Sequence, residues 1–188
     1  MKNVDDATLT KFLIRSFSGI FEGASKRVQK PTIPGSQQHY CKEDGLVYLE
    51  TAAGGMFRYK VDVSVLREET NEHIWYMSIV ADINEKMLER INLPPMELRL
   101  FLMSARQIGF LETLESIGKN EEYCLFDISD HEEPAAVGGT GVAGTLKYTE
   151  TIIDNLDLFR GEEFIRFVSQ DGKLRANLYR ASFQGGRL

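Results

Sequence analysis

The clearest chemical pattern in the chain is a run of glycines, Gly139-x-Gly141-x-x-Gly144, within the segment GGTGVAG. This spacing can cradle the pyrophosphate of a dinucleotide when a strand precedes the glycines and a helix follows them. Here the charged segment DHEEPAAV precedes them, and LKYTETII follows, which is rich in β-branched residues and poor in helix formers. We therefore interpret residues 131–144, HEEPAAVGGTGVAG, as a loop, and we predict no cofactor.

Glu163 is the ionisable side chain best suited to a functional site. In a single strand over 159–168 it shares a face with apolar residues, and a buried carboxylate there is costly unless it is paired. Its companions on that face are Phe159, Gly161, Ile165 and Phe167. Two interpretations remain open: a pocket acid that binds a ligand or titrates, and a structural ion pair with an arginine such as Arg58 or Arg175.

Aromatic side chains of the first predicted strands, among them Tyr48 and Trp75, either line a small-molecule pocket or belong to the core. We take Tyr40, Tyr48, Trp75 and Glu163 as candidate ligand-binding residues. The motifs G-x-S-x-G, H-E-x-x-H and C-x-x-C do not occur, so we assign no catalytic residue.

Composition excludes several partners. The net charge is −6 and the acidic residues are spread along the chain, whereas a nucleic-acid surface needs clustered basic residues. Cys41 and Cys124 form no disulfide framework, and the histidines lack paired-ligand spacing, so we predict no metal site. No run of residues suits a membrane helix or a signal peptide. We expect a cytoplasmic protein that binds neither nucleic acid nor membrane.

Helical periodicity marks two segments that would position these residues. Leu9, Phe12, Leu13 and Phe17 predict an N-terminal helix capped by Asp5 or Asp6 and broken at Gly19 and Gly23. Residues 96–118 predict a long central helix that is largely buried, with a bend or break at Gly109.

Period-two patterns flank this central helix on both sides. Strands are expected at 46–50, 57–65 and 73–83 before it, and at 122–128, 146–153, 162–169 and 173–183 after it. The pair Asp171-Gly172 predicts a hairpin between the last two strands. Strands segregated from helices predict a single α+β domain over 1–188, with antiparallel sheet.

Three stretches, 12–23, 30–55 and 159–186, resemble an uncharacterised bacterial domain family, some members of which are fused to a helix-turn-helix. The shared pattern positions are Pro34-Gly35-Ser36, Tyr40, Gly54-Gly55 and Glu163. Residues from about 78 to 140 depart from the family's pattern. The resemblance implies a sensing domain and carries over no catalytic residue.

The residues favour a non-catalytic module that binds a small molecule or a protein partner. A small enzyme that uses Glu163 as general acid or base, with His39 or Tyr40, is the alternative. A third interpretation is a structural domain that self-associates as a homodimer through an edge strand.

Overall fold

The computed structural model describes residues 4–21, 25–119, 121, 131–135 and 143–188. Within these residues the chain forms three helices and one sheet of nine strands, all paired antiparallel. The predicted α+β class with an antiparallel sheet is confirmed, and the sheet dominates. The elements are α1 (Asp6–Phe21), β1 (Lys26–Arg27), β2 (Gln37–Glu43), β3 (Leu46–Gly54), β4 (Arg58–Arg67), β5 (His73–Ile83), α2 (Glu85–Ile91), α3 (Pro95–Lys119), β6 (His131–Ala135), β7 (Gly144–Asn155), β8 (Leu158–Ser169) and β9 (Arg175–Arg187).

The strand order is β1-β2-β3-β4-β5-β9-β8-β7-β6. Two meanders, β1–β5 and β6–β9, therefore join where β5 pairs with β9. Helices α2 and α3 connect the meanders in sequence. None of the helices in the described part of the chain is long and apolar enough to span a membrane.

Alternation along the strands gives the sheet one apolar face, which helices α1 and α3 cover. On β4, Val63 and Val65 are buried while Arg58 and Lys60 are exposed. The predicted face of β8 is likewise confirmed, because Phe159, Glu163, Ile165 and Phe167 are all buried. We call this covered side the inner face and the opposite side the outer face.

Helix α1 begins where the sequence predicted. Oδ1 of Asp5 accepts a hydrogen bond of 2.9 Å from the backbone N–H of Thr8, which satisfies a free donor of the first turn. The helix continues through Gly19 to Phe21, so the predicted break at Gly19 is wrong. One interior glycine costs only about 1 kcal/mol, and the burial of Leu13 and Phe17 on the same helix offsets that cost.

Helix α3 is continuous over 25 residues, so the break predicted at Gly109 as one of two outcomes does not occur. Gly109 is itself buried. Helix α2 precedes α3, and its N-cap is Asn84, whose side chain accepts a 3.2 Å hydrogen bond from the N–H of Met87.

The segment around the glycine pattern differs in part from the prediction. Residues 131–135, which we expected in a loop, form edge strand β6 against β7. An edge strand tolerates Pro134 and charged residues because its outer hydrogen-bonding side is unpaired. Gly144 begins strand β7, so a strand and not a helix follows the glycines. Gly139, Gly141 and the strand predicted at 122–128 lie outside the described residues.

Candidate ligand-binding site

Glu163 lies at the centre of a buried polar network on the inner face, with only 2% of its surface exposed. Its Oε1 accepts hydrogen bonds from Nη2 of Arg106 and from the hydroxyl of Tyr179, the latter at 2.5 Å. Its Oε2 accepts from Nε of Arg106 at 3.2 Å and from the hydroxyl of Tyr148 at 2.8 Å. Four donors fill the four lone-pair positions of a carboxylate, so Glu163 is saturated.

Arg106 comes from the middle of α3, and its side chain is 20% exposed. Burial is the largest single influence on the pKa of its guanidinium and lowers it, but the Glu163 carboxylate together with Tyr179, Tyr59 and Tyr148 raises that pKa well above its ordinary value. The sequence suggested Arg58 or Arg175 as the partner of Glu163, and that suggestion is wrong. Arg58 pairs with Asp82 at 3.3 Å on the outer face, and Arg175 is exposed.

The tyrosines of this network are held in their neutral, donating form. Burial raises the pKa of Tyr148 and of Tyr179 well above the ordinary value, and the Glu163 carboxylate adds to the shift in both. Because each hydroxyl keeps its proton, each donates to Glu163. Together with Arg106 they hold the carboxylate in place.

Glu50 is a second acidic side chain on the inner face, on β3. Its Oε2 accepts a 2.7 Å hydrogen bond from the hydroxyl of Tyr48, two residues earlier in the strand. Burial raises the pKa of the Glu50 carboxyl above its ordinary value, although Tyr48, His39 and Arg106 act in the opposite direction. No cation lies within 4.0 Å of this carboxylate among the described residues.

A cavity of about 510 Å³ separates α1 and α3 from strands β3, β4 and β5. Most of its lining is apolar, and a few polar side chains converge on it. The apolar side chains are those of Phe17, Ile20, Ala52, Ala53, Met56, Val61, Ile79, Leu102 and Met103; the polar ones are those of Gln37, Glu50, Tyr59, Arg99 and Arg106; Gly35, Gly54 and Gly55 complete it. This size and this mixture are typical of small-molecule sites.

Arg99 contributes a cation to the cavity lining at the end where β3 turns into β4. Its Nη2 donates to the carbonyl oxygen of Met56 at 3.1 Å, and its guanidinium carbon lies 5.8 Å from the centre of the Tyr59 ring. Within the described residues, no carboxylate lies within 4.0 Å of Arg99. The guanidinium has five N–H donors, so one bond to a carbonyl leaves most of them available.

The four candidate residues from the sequence do not form one site. Tyr48 and Glu163 lie behind the cavity and contact its polar lining residues, Glu50 and Arg106. Trp75 is fully buried and stacks on Phe159 at a centroid distance of 5.5 Å, away from the cavity. Tyr40 pairs with Leu49 on the outer face, opposite to the inward-facing Tyr48.

Sequence reasoning missed the lining residues Arg106, Glu50 and Arg99. Arg106 is the only charged residue within 100–111 of a helix that is otherwise largely apolar, which is a signal for a paired cation. Glu50 follows Leu46 and Tyr48 at a spacing of two, which places it on the inner face. The sequence gives no comparable signal for Arg99, because its neighbours on α3 are one buried and one exposed residue.

Metal binding finds no support in the described part of the chain, where no three side chains among His, Cys, Asp and Glu lie close enough to hold an ion. Cys41 is half-buried and free, with its Sγ 3.0 Å from Oγ of Ser16. Cys124 lies outside the described residues.

Comparison with known proteins adds no relative. No family profile, curated protein sequence or solved structure matches the chain. The resemblance to a bacterial domain family therefore stays a prediction from the sequence.

Proposed function

We propose that the protein is a non-catalytic binding module that takes up a small organic molecule in the cavity between α1, α3 and strands β3–β5. The observation that carries this proposal is the cavity itself, about 510 Å³ with a mostly apolar lining. Pockets that bind drug-sized molecules have roughly 300–1,000 Å³ and the same combination of apolar walls with a few polar groups. The sequence evidence for a cytoplasmic protein is compatible with a metabolite as ligand.

Contacts between the surrounding elements support a preformed site. Phe17 packs edge-on against Tyr48 at 5.5 Å and stacks on Phe110 at 5.8 Å, which ties α1 to both β3 and α3. Arg106 is fixed by its two hydrogen bonds to Glu163. A preformed site loses little conformational entropy when a ligand binds, which favours affinity.

The alternative of an enzyme based on Glu163 has less support. A general acid or base must reach the proton that it transfers. Glu163 does not line the cavity, and all four of its acceptor positions are occupied by Arg106, Tyr148 and Tyr179. Its role in the proposed site is to orient Arg106.

Thermal-shift screening against a metabolite library tests the proposal. A ligand that binds only the folded state raises the melting temperature, and the rise grows with the logarithm of its concentration relative to its Kd. We expect at least one compound of the library to do so, and Val61→Phe, which fills the cavity, to abolish the shift. Val80→Phe is the matched control, because Val80 lies on the outer face of the neighbouring strand and is 39% exposed.

Two results would count against a ligand-binding cavity. The first result is that no compound of the library raises the melting temperature of the unmodified protein. The other is a compound whose shift survives in Val61→Phe as fully as in Val80→Phe, because that compound would bind elsewhere.

A further inference from the structure

The charged side chains at the cavity differ in whether they already have a partner. Arg106 is committed to Glu163 by two hydrogen bonds, and Glu50 already accepts from Tyr48. Among the residues that the structure describes, the polar and aromatic partners of Arg99 are one carbonyl oxygen and one ring. A guanidinium pairs best with a carboxylate, which it binds through two parallel hydrogen bonds.

The position of Arg99 suits the charged end of an amphipathic molecule. Arg99 is half-buried, whereas the apolar side chains of Leu102 and Phe17 in the same lining are buried. A carboxylate at a half-buried cation keeps part of its hydration, so its desolvation costs less than that of a fully buried pair. The apolar body of the same molecule would contribute affinity by burial in the cavity.

The polar groups of the cavity also lie far enough apart to leave room for the apolar body of such a molecule. Arg99 contacts Met56 and Tyr59, and Tyr59 is the register partner of Gly54 at the end of β3. Glu50 lies four residues further along β3, roughly 13 Å away at the usual rise of a strand. Arg99 and Arg106 are separated by seven residues of α3, roughly 10 Å along the helix axis. The helix and the strand thus give two polar ends with an apolar middle.

Resting on the proposed function, we propose that the cavity binds an amphipathic organic anion whose carboxylate pairs with Arg99 and whose apolar body lies between α1, α3 and β4. Arg99 is thereby a residue that determines specificity. At the inner end, Arg106 is neutralised by Glu163 behind it and Glu50 is an acid, so an anion is drawn to the Arg99 end.

A matched series of probes tests this inference: phenylbutyrate, phenylbutanol and phenylbutylamine, which differ only in the polar end. Titration calorimetry on the intact protein should show the acid binding more tightly than the alcohol, and the amine binding most weakly. Arg99→Gln should weaken the acid by about tenfold or more and leave the alcohol within about twofold. Arg99→Lys should retain the preference for the acid, because it retains the charge.

Two controls complete the design. Arg90→Gln removes the same charge from the exposed last turn of α2, outside the cavity, and should leave the acid's affinity unchanged. Added salt should weaken the acid and spare the alcohol, because only the acid depends on a partly exposed ion pair.

The inference is overturned if the alcohol or the amine binds as tightly as the acid, if Arg99→Gln leaves the acid's affinity unchanged, or if none of the three probes binds. Failure of the anion preference and failure of the proposed function give different results with Val61→Phe. If the alcohol binds as well as the acid and Val61→Phe abolishes both, the cavity binds ligands and only the anion preference is wrong. If the acid still binds to Val61→Phe at full affinity, its site is not this cavity.

Discussion

The guanidinium of Arg106 and the carboxylate of Glu163 join helix α3 to strand β8 through two hydrogen bonds, although the residues are 57 positions apart in the sequence. Glu163 is almost fully buried, and Tyr148 and Tyr179 donate to it from the two neighbouring strands. One carboxylate thus links three strands to the helix that covers them. It also fixes the arginine that closes one end of the cavity.

Breaking this pair should be strongly destabilising. Arg106→Met leaves the Glu163 charge buried without its cation, and we expect the free energy of unfolding to fall by about 3 kcal/mol or more. Denaturant unfolding monitored by circular dichroism measures the change. Arg180→Met is the matched control, since Arg180 pairs with Glu162, the sequence neighbour of Glu163, and these side chains are 63% and 43% exposed. That control should cost about 1 kcal/mol or less. Equal losses in the two variants would contradict a structural role for the buried pair.

The stability of the protein should depend on pH through Glu50. Burial raises the pKa of this carboxyl in the folded state above its ordinary value of 4.5. Just above that pH, the folded protein therefore holds a proton that the unfolded chain has released. The free energy of unfolding therefore falls as the pH rises from 4.5 through the raised pKa of Glu50 in the folded state, and it stays lower at higher pH.

Glu50→Gln removes that dependence, because the amide has no charge to bury and its oxygen still accepts from Tyr48. We expect the variant to gain stability over the unmodified protein at neutral pH, and the gain to vanish in acid. Thermal unfolding across a pH series measures it. Glu43→Gln, on an exposed side chain paired with Arg15, is the control and should show no such gain. A constant difference across the series would show that Glu50 is not the titrating group.

Three tyrosines should resist ionisation in the folded protein. Burial raises the pKa of Tyr48, Tyr148 and Tyr179, with nearby carboxylates adding to the shift. In alkaline absorbance titration, part of the signal of the seven tyrosines should therefore appear only when the protein unfolds. Since the folded state keeps these protons longer than the unfolded chain, stability should fall as the pH rises above 10.0. An early titration phase that loses amplitude in Tyr179→Phe would be inconsistent with this arrangement.

Gly185 should not tolerate a side chain. It lies on β9 where a Cβ would collide with the backbone carbonyl of Tyr76 and would lie 2.8 Å from the Phe159 ring and 2.9 Å from Cα of Met77. Because two of these atoms are backbone, Gly185→Ala should cost about 3 kcal/mol. Gly55→Ala is the comparison, since nothing lies within 4 Å of its added carbon. If the urea midpoint shifts equally in both variants, β5 and β9 are further apart than these Cβ distances require.

Much of the sheet follows from local sequence, and the site does not. The period-two runs on β4 and β8 predicted which side chains are buried, including Glu163, because alternation is a property of neighbouring residues. The partner of Glu163 could not be found in this way, since Arg106 reaches it from a helix of the other half of the chain. The cavity depends on the same long-range packing. Strand β6 was not predicted, because a strand with its charges and proline is tolerated only at the edge of a sheet. Which strand lies at the edge depends on how the whole sheet is assembled.

The central position of β9 has a consequence for synthesis. Within the described residues, strands β1–β5 pair with strands β6–β8 only through β9, residues 175–187. While a ribosome is still making that segment, β5 and β8 each present an unpaired edge, which is prone to aggregation. Neither edge is paired until β9 has been synthesised, so slow translation of residues 175–187 should increase the dependence of the nascent protein on chaperones.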